Sequence, residues 1–241
     1  MPIAPLPPRP PVRAAIFDMD GLLVDSEPVW RIVTLEVLDE LGSDVRPIID
    51  RGLTKGMRVD ESLALFRALA PWPGAGDAAT EHAARERIVA GVVAAIETAV
   101  ELLPGALEAL DFFADAGAVL ALASGSVPAV VNAVVDRFAL RPRFAAIVSA
   151  VDVPLGKPHP QVFLDTASLI GMAPVECVVL EDSVNGCIAA KAAQMRAIAV
   201  PAVEDREDAR FAIADIVLDS LKAISTPEVA TVLGLPVDPN R

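Results

Sequence analysis

Tyrosine is absent from the 241 residues, and aromatic residues make up only 4%. The mean hydropathy of +0.50 therefore comes from abundant Ala, Val and Leu. No apolar run reaches the ~18 residues that a membrane-spanning helix needs, so that reading of the hydropathy is excluded. Cysteine is scarce. Cys177 and Cys187 are too few for a disulfide framework and too far apart for a CxxC site. They read as small buried apolar residues in a reducing compartment. Only His82 and His159 occur, which excludes a multi-histidine zinc site. Basic residues are outnumbered, 20 Lys plus Arg against 33 Asp plus Glu, for a formal charge of −13. Nucleic acid and anionic membrane, which need clustered cations, are thereby excluded as main partners. Neither a GxxxxGK[ST] loop nor a GxGxxG fingerprint occurs, so nucleotide binding has no support. No internal repeat is visible.

The length fits one domain, or one domain plus an inserted module, and is enough to bury a core without staples. Six prolines (Pro2, Pro5, Pro7, Pro8, Pro10 and Pro11) make residues 1–11 an expected extended, mobile arm. The arm lacks the basic start and apolar stretch of a signal peptide, so a cytoplasmic location is expected.

Short apolar runs at 14–17, 118–123, 144–148, 177–180, 197–200 and 216–218 predict strands. Helical patterns at 106–116, 128–138, 161–170 and 184–194 lie between them. This alternation predicts an α/β fold, a Rossmann-like parallel sheet covered on both faces. One interval breaks the rhythm. Between the first two strands lie about a hundred residues with helical patterns alone, at 29–41, 57–69 and 78–100. The expected organisation is an α/β core over 12–27 and 104–225, an inserted all-helical cap over 28–103, and a weakly ordered tail over 226–241.

Polar clusters follow the strands. Asp18 and Asp20 follow the first, Ser124-Gly125-Ser126 the second, and Glu181-Asp182-Ser183 the fourth, while Gly156-Lys157-Pro158 lies between the third and fourth. Strand C-termini of a parallel sheet share one edge, where ligands bind, so these clusters should converge. Four carboxylates in a small volume repel one another unless a cation is present, and hard oxygen donors select Mg²⁺. Lys157 suits a phosphate, and Ser124 with the N–H groups of Ser124–Ser126 can donate to phosphoryl oxygens. A carboxylate nucleophile, a cation, a lysine and a hydroxyl make a phosphoryl-transfer site.

The stretch Asp18-Met19-Asp20-Gly21-Leu22-Leu23-Val24-Asp25-Ser26 resembles the first motif of the haloacid dehalogenase superfamily. Ser124, Lys157 within Gly156-Lys157-Pro158-His159-Pro160, and Glu181-Asp182-Ser183-Val184-Asn185-Gly186 resemble its other three, in order. The resemblance spans roughly 12–221, and the insert looks like the cap of the phosphatase and β-phosphoglucomutase branch. Within that branch, the segments 25–30, 71–74 and 180–190 look most like bacterial phosphatases of 2-deoxyglucose 6-phosphate and hexitol phosphates.

The resemblance implies that Asp18 attacks phosphorus and that Asp20 acts as acid and then base. It also implies that Asp18, the backbone carbonyl of Asp20, and Asp182 hold Mg²⁺, with Glu181 ligating directly or through water. Ser124 and Lys157 would orient the phosphoryl group, with Gly125 and Ser126 beside them, and Asn185 would support the metal. The implied activity is hydrolysis of a small phosphorylated metabolite by a monomer. A phosphosugar mutase and a non-catalytic phosphosugar-binding protein are the alternatives. Mutases of the branch carry His where Trp30 stands here, which favours the phosphatase.

Blander roles remain open beside these. Asp25 and Ser26 read as caps of the helix that starts near Pro28. Ser126 is either a phosphate contact or a cap, and Ser183 a cap. His159 begins a helix, and His82 lies on the cap surface. Gly52, Gly56 and Arg58 lie in a loop that, in related enzymes, contacts substrate; an ordinary solvated Arg58 is the alternative. Lys55 reads as solvent-facing, and Trp30 as packing cap against core.

Overall fold

Every residue of strand β1 (Ala14–Phe17) is buried, as an apolar run covered on both faces requires. The computed structural model describes residues 9–235; the expected N-terminal arm over 1–8 and the tail over 236–241 lie outside the described residues. After β1 the chain forms α1 (Glu27–Glu40), α2 (Arg46–Ile49), α3 (Val59–Leu69) and α4 (Ala78–Ala99) before α5 (Ala106–Asp115) and β2 (Val119–Ser124). Then come α6 (Pro128–Arg137), β3 (Ala146–Ser149), α7 (Gln161–Leu169), β4 (Cys177–Glu181), α8 (Val184–Ala192), β5 (Arg196–Ala199), β6 (Ile216–Val217) and α9 (Pro227–Leu233).

The strands form one parallel sheet in the order β3-β2-β1-β4-β5-β6, a Rossmann-like α/β fold. Strand side chains alternate between faces. Ala15, Phe17, Leu120, Leu122, Val178, Leu180 and Ile198 join the core that continues into α5, α6 and the inserted helices. Ala14, Ile16, Ala121, Ala123, Cys177, Val179 and Ala197 pack with α7 and α8 on the other face. Both cysteines are free and buried. No helix among the described residues is long and apolar enough to cross a membrane.

The inserted helices rest over the sheet edge, with α4 packed against α1 and α6. Their two connections run side by side. Val24 bridges Leu102 in antiparallel fashion, Asp25 N–H donates to Glu101 O (3.0 Å), and Leu103 N–H donates to Leu23 O (2.9 Å). The helix starts follow local chemistry: Asp77 accepts from Thr80 N–H ahead of α4, and Ser183 from Gly186 N–H ahead of α8.

Two expectations need correction here. The segment after 226 is not loosely held throughout. Residues Pro227–Leu233 form α9, whose Val229, Ala230 and Leu233 are buried, and Leu233 O accepts from Val12 N–H (2.9 Å). Ser26 precedes α1 without capping it, because its hydroxyl donates instead to Asp20.

Candidate active site

The strand order changes direction at β1, which pairs with β2 on one side and β4 on the other. Such a switch point opens a crevice at the strand C-termini. Asp18 leaves β1 there, held by its N–H to Leu180 O (3.0 Å). Ser124 ends β2, and Glu181 ends β4 with Asp182 next to it. The cap closes over them, leaving a cavity of about 1060 Å³.

Asp18, Asp20, Gly125, Ser126, Lys157, Glu181, Asp182 and Gly56 all line that cavity. The buried Lys157 ammonium donates to Asp18 Oδ1 and Glu181 Oε1, each at 2.5 Å. The other Glu181 oxygen accepts from Ser183 N–H (3.0 Å) and Oγ–H (2.8 Å). Gly186 is required at this point, because a Cβ there would come within 2.2 Å of three Glu181 carboxyl atoms. Asp20 is held on both oxygens. Ser26 Oγ (2.6 Å) and Trp30 Nε1 (3.2 Å) donate to Oδ1, and Ser126 Oγ (2.8 Å) and Ser124 Oγ (3.2 Å) donate to Oδ2.

Asp18, Glu181 and Asp182 each offer an oxygen within 4.8 Å of the others. One ammonium faces these three carboxylates. Burial pushes the Asp18 carboxyl up to about 7; Lys157 pulls it down, and the charges of Glu181 and Asp20 push it up further. Asp182 is raised well above its ordinary value by burial and by Glu181 and Asp18. Burial works against the Lys157 ammonium, but Asp18 and Glu181 outweigh it and raise its pKa. Asp182 Oδ2 would lie only 2.3 Å from a Cβ on Gly21. An excess of hard oxygen donors crowded beside a glycine turn fits a small divalent cation.

Several side chains stand elsewhere than expected. Arg58 is outside the cavity lining; it is buried and turned toward the loop ahead of Lys157, so it is not a solvated arginine. Asn185 is also outside the lining and faces Gly56. Lys55 is not simply solvent-facing: it lines the cavity and pairs with Asp205 (2.6 Å) and Glu204 (3.3 Å) of the core. Trp30 lines the cavity as well as packing against the core. Its bond to Asp20 was not expected from the sequence; the only signal was an indole N–H on the first turn of a helix that begins seven residues after Asp20.

A buried carboxylate paired to a lysine, a second carboxylate ringed by donors, and an acidic cation cradle fit phosphoryl chemistry. The chain belongs to the haloacid dehalogenase-like hydrolases, whose family model matches residues 12–194. It is 43% identical over 218 residues to hexitol phosphatase B of Escherichia coli strain K12, covering 90% of this chain and 96% of that one. Its fold is similar to that of CbbY from Rhodobacter sphaeroides solved with phosphate, at a TM-score of 0.76 and 29% identity over 88% of this chain and 96% of that one. It also resembles β-phosphoglucomutase from Clostridium difficile, at a TM-score of 0.79 and 22% identity over 92% and 97% of the two chains. The chain is thus an enzyme related to named sugar phosphatases.

Proposed function

We propose that this chain is a cytoplasmic, monomeric, Mg²⁺-dependent phosphatase of small sugar or sugar-alcohol phosphate monoesters. The observation that carries the reading is the pairing of Asp18 with Lys157 beside an Asp20 carboxylate held by four donors. The likeness to hexitol phosphatase B supports the substrate class.

In this reading Asp18 attacks phosphorus, the bond from phosphorus to the sugar oxygen breaks, and Asp20 hands that oxygen a proton. Asp20 then takes a proton from water as the water oxygen attacks the aspartyl phosphate. The acyl phosphate bond breaks, Asp18 is regenerated, and inorganic phosphate leaves. Lys157 holds Asp18 in line and offsets the phosphoryl charge. Ser124 and Ser126, with the Gly125 backbone, orient Asp20 and the phosphoryl oxygens. Mg²⁺, when bound, offsets the charge gathered around the phosphoryl group. Asp18, Asp182 and the Asp20 carbonyl would hold it. Both Glu181 oxygens already accept hydrogen bonds, which supports a contribution through Lys157 or through water.

The test is a panel of phosphorylated metabolites that includes 2-deoxyglucose 6-phosphate and hexitol phosphates, assayed for phosphate release with Mg²⁺ and with chelator. Release that needs the metal and vanishes in Asp18→Asn supports the reading. Undiminished activity in Asp18→Asn overturns the covalent route. Conversion of β-glucose 1-phosphate to glucose 6-phosphate without phosphate release would make the chain a mutase.

A further inference from the structure

The loop that delivers Lys157 to the site is fastened by the cap. Arg58, at the start of α3, sends Nη1 to the carbonyls of Val153 (2.8 Å) and Ala150 (3.1 Å). Three residues on, Glu61 Oε1 accepts from the backbone N–H of Gly156 (3.2 Å), the residue immediately before Lys157. The two side chains also bind each other, with Arg58 Nη2 3.0 Å from Glu61 Oε1. Glu61 Oε2 accepts from Arg58 N–H (3.1 Å), which fixes the carboxylate against the helix start.

The fit is close. A Cβ on Gly156 would lie 2.7 Å from Glu61 Oε1, 2.8 Å from its partner oxygen and 3.1 Å from Arg58 Nε. Arg58 is 8% exposed, and its Nε is buried without a hydrogen-bond partner. A guanidinium taken so far out of water needs its remaining bonds, so the contact persists only where the loop carbonyls meet it.

We propose that Arg58 and Glu61 are positioning residues for Lys157, through which the cap sets the lysine against Asp18 and Glu181. On the core side the ammonium also reaches Ala123 O (3.4 Å) and lies 5.0 Å from the Phe163 ring centroid, contacts of the side-chain tip that leave the backbone of Gly156 to the cap. Its ammonium reaches 2.5 Å contacts with two carboxylates, a geometry that a loop displaced by an ångström does not keep. Movement of the cap away from the core parts Arg58 from Ala150 and Val153 and Glu61 from Gly156. The lysine is therefore in register only under a closed cap, and substrate held by the cap meets an assembled site. The inference rests on the phosphatase reading for its activity measurements but not for its structural ones.

The experiment compares the full chain with Glu61→Ala, Glu61→Gln, Arg58→Ala, the double variant Arg58→Ala/Glu61→Ala, and Asp60→Ala. Asp60 is an exposed partner of Arg58 that does not touch the loop, and it serves as the control. Two measurements are made on each: kcat and KM for p-nitrophenyl phosphate with Mg²⁺, and acetylation of Lys157 by acetic anhydride, read by mass spectrometry. We expect Glu61→Ala and Arg58→Ala each to lower kcat at least tenfold with KM changed less than threefold. The double variant should be no worse than the weaker single, because one latch is broken either way. Glu61→Gln, which keeps an oxygen for Gly156, should retain part of the activity. Lys157 should be acetylated at least fivefold faster in both alanine variants and unchanged in Asp60→Ala. Folded alanine variants with wild-type kcat and a Lys157 as protected as in wild type overturn the proposal. Additive losses in the double variant also overturn it. A wild-type chain that turns over no phosphate ester refutes the phosphatase reading instead, and the acetylation rates still decide this inference.

Discussion

The indole N–H of Trp30 donates to Oδ1 of Asp20 across 3.2 Å, so the first turn of the cap holds one of the two aspartates that follow β1. Cap and core chemistry therefore meet at this hydrogen bond as well as at the loop of Lys157 and across the cavity. Replacing Trp30 by Phe keeps the ring and removes the donor. A bond to a charged acceptor contributes about 1.5 kcal/mol, roughly tenfold in rate. We expect kcat to fall about tenfold for a hexitol phosphate and much less for p-nitrophenyl phosphate, whose leaving group needs no proton. Equal losses on both substrates would show that Trp30 acts only in packing.

Gly186→Ala offers a test with a diagnostic sign. Alanine is favoured over glycine within a helix by about 1 kcal/mol, so a neutral site would gain stability. Here the new Cβ meets the Glu181 carboxyl group. Overpacking of this kind costs about 1–3 kcal/mol. The expected outcome is a melting temperature lowered by about 2–8 °C together with loss of phosphatase activity, measured by calorimetry and phosphate release.

Stability of the metal-free chain should depend on pH in a specific window. Asp18 is raised from 3.8 to about 7, so the fold holds its proton more tightly than the unfolded chain does. That contribution is complete below about pH 4 and is lost as the pH rises through 7. Asp182 shifts in the same direction. The metal-free melting temperature should fall from pH 5 to pH 8. Added Mg²⁺ competes with these protons, so its stabilising effect should be large at pH 8 and small at pH 5. A Mg²⁺ effect independent of pH would contradict a cation site made from these carboxylates.

Neither cysteine should react in the folded chain. Burial pushes the Cys177 thiol up to about 11, with Glu176 adding to the rise, and raises Cys187 further. At pH 8 the thiolate fraction of Cys177 is then about one in a thousand. Iodoacetamide should label both residues in denaturant and neither in buffer, as read by intact mass.

Leu233→Ala tests the anchoring of α9. Leu233 is fully buried, and truncations of this kind cost about 2–5 kcal/mol. A melting temperature unchanged by the substitution would mean that α9 stands apart from the core.

The sheet was legible in the sequence because buried parallel strands are continuous apolar runs, and the predicted runs lie within about two residues of β1 to β6. The convergence of Asp18, Lys157 and Glu181 followed from strand order and edge geometry. Side-chain direction did not. Arg58 sits in the expected loop, but whether it faces substrate or the loop before Lys157 depends on carbonyls more than ninety residues away. Ser26 has the residue type and place of a cap, yet the Asp20 carboxylate outcompetes the helix N-terminus for its hydroxyl. Helix α9 is seven residues long, too short for its periodicity to stand out, and its buried side chains belong to the same core cluster as Val12, Leu221 and Ile224, distant in sequence or outside any helix pattern.

The paired connections at Val24 and Leu102 bring both ends of the inserted helices to one point of the core. The two ends lie side by side, so the helical module joins the core covalently through one narrow doorway, and its other ties are the contacts of single side chains such as Trp30, Lys55, Arg58 and Glu61. Recognition and chemistry are thereby tied at a few points: Asp18 and Glu181 follow strands that the insert never interrupts, whereas Asp20 and the loop of Lys157 are held in part by residues of the insert. A chain built this way can rebuild much of its roof and keep its floor, provided that the few side chains that pin the floor, Trp30, Arg58 and Glu61, stay in place.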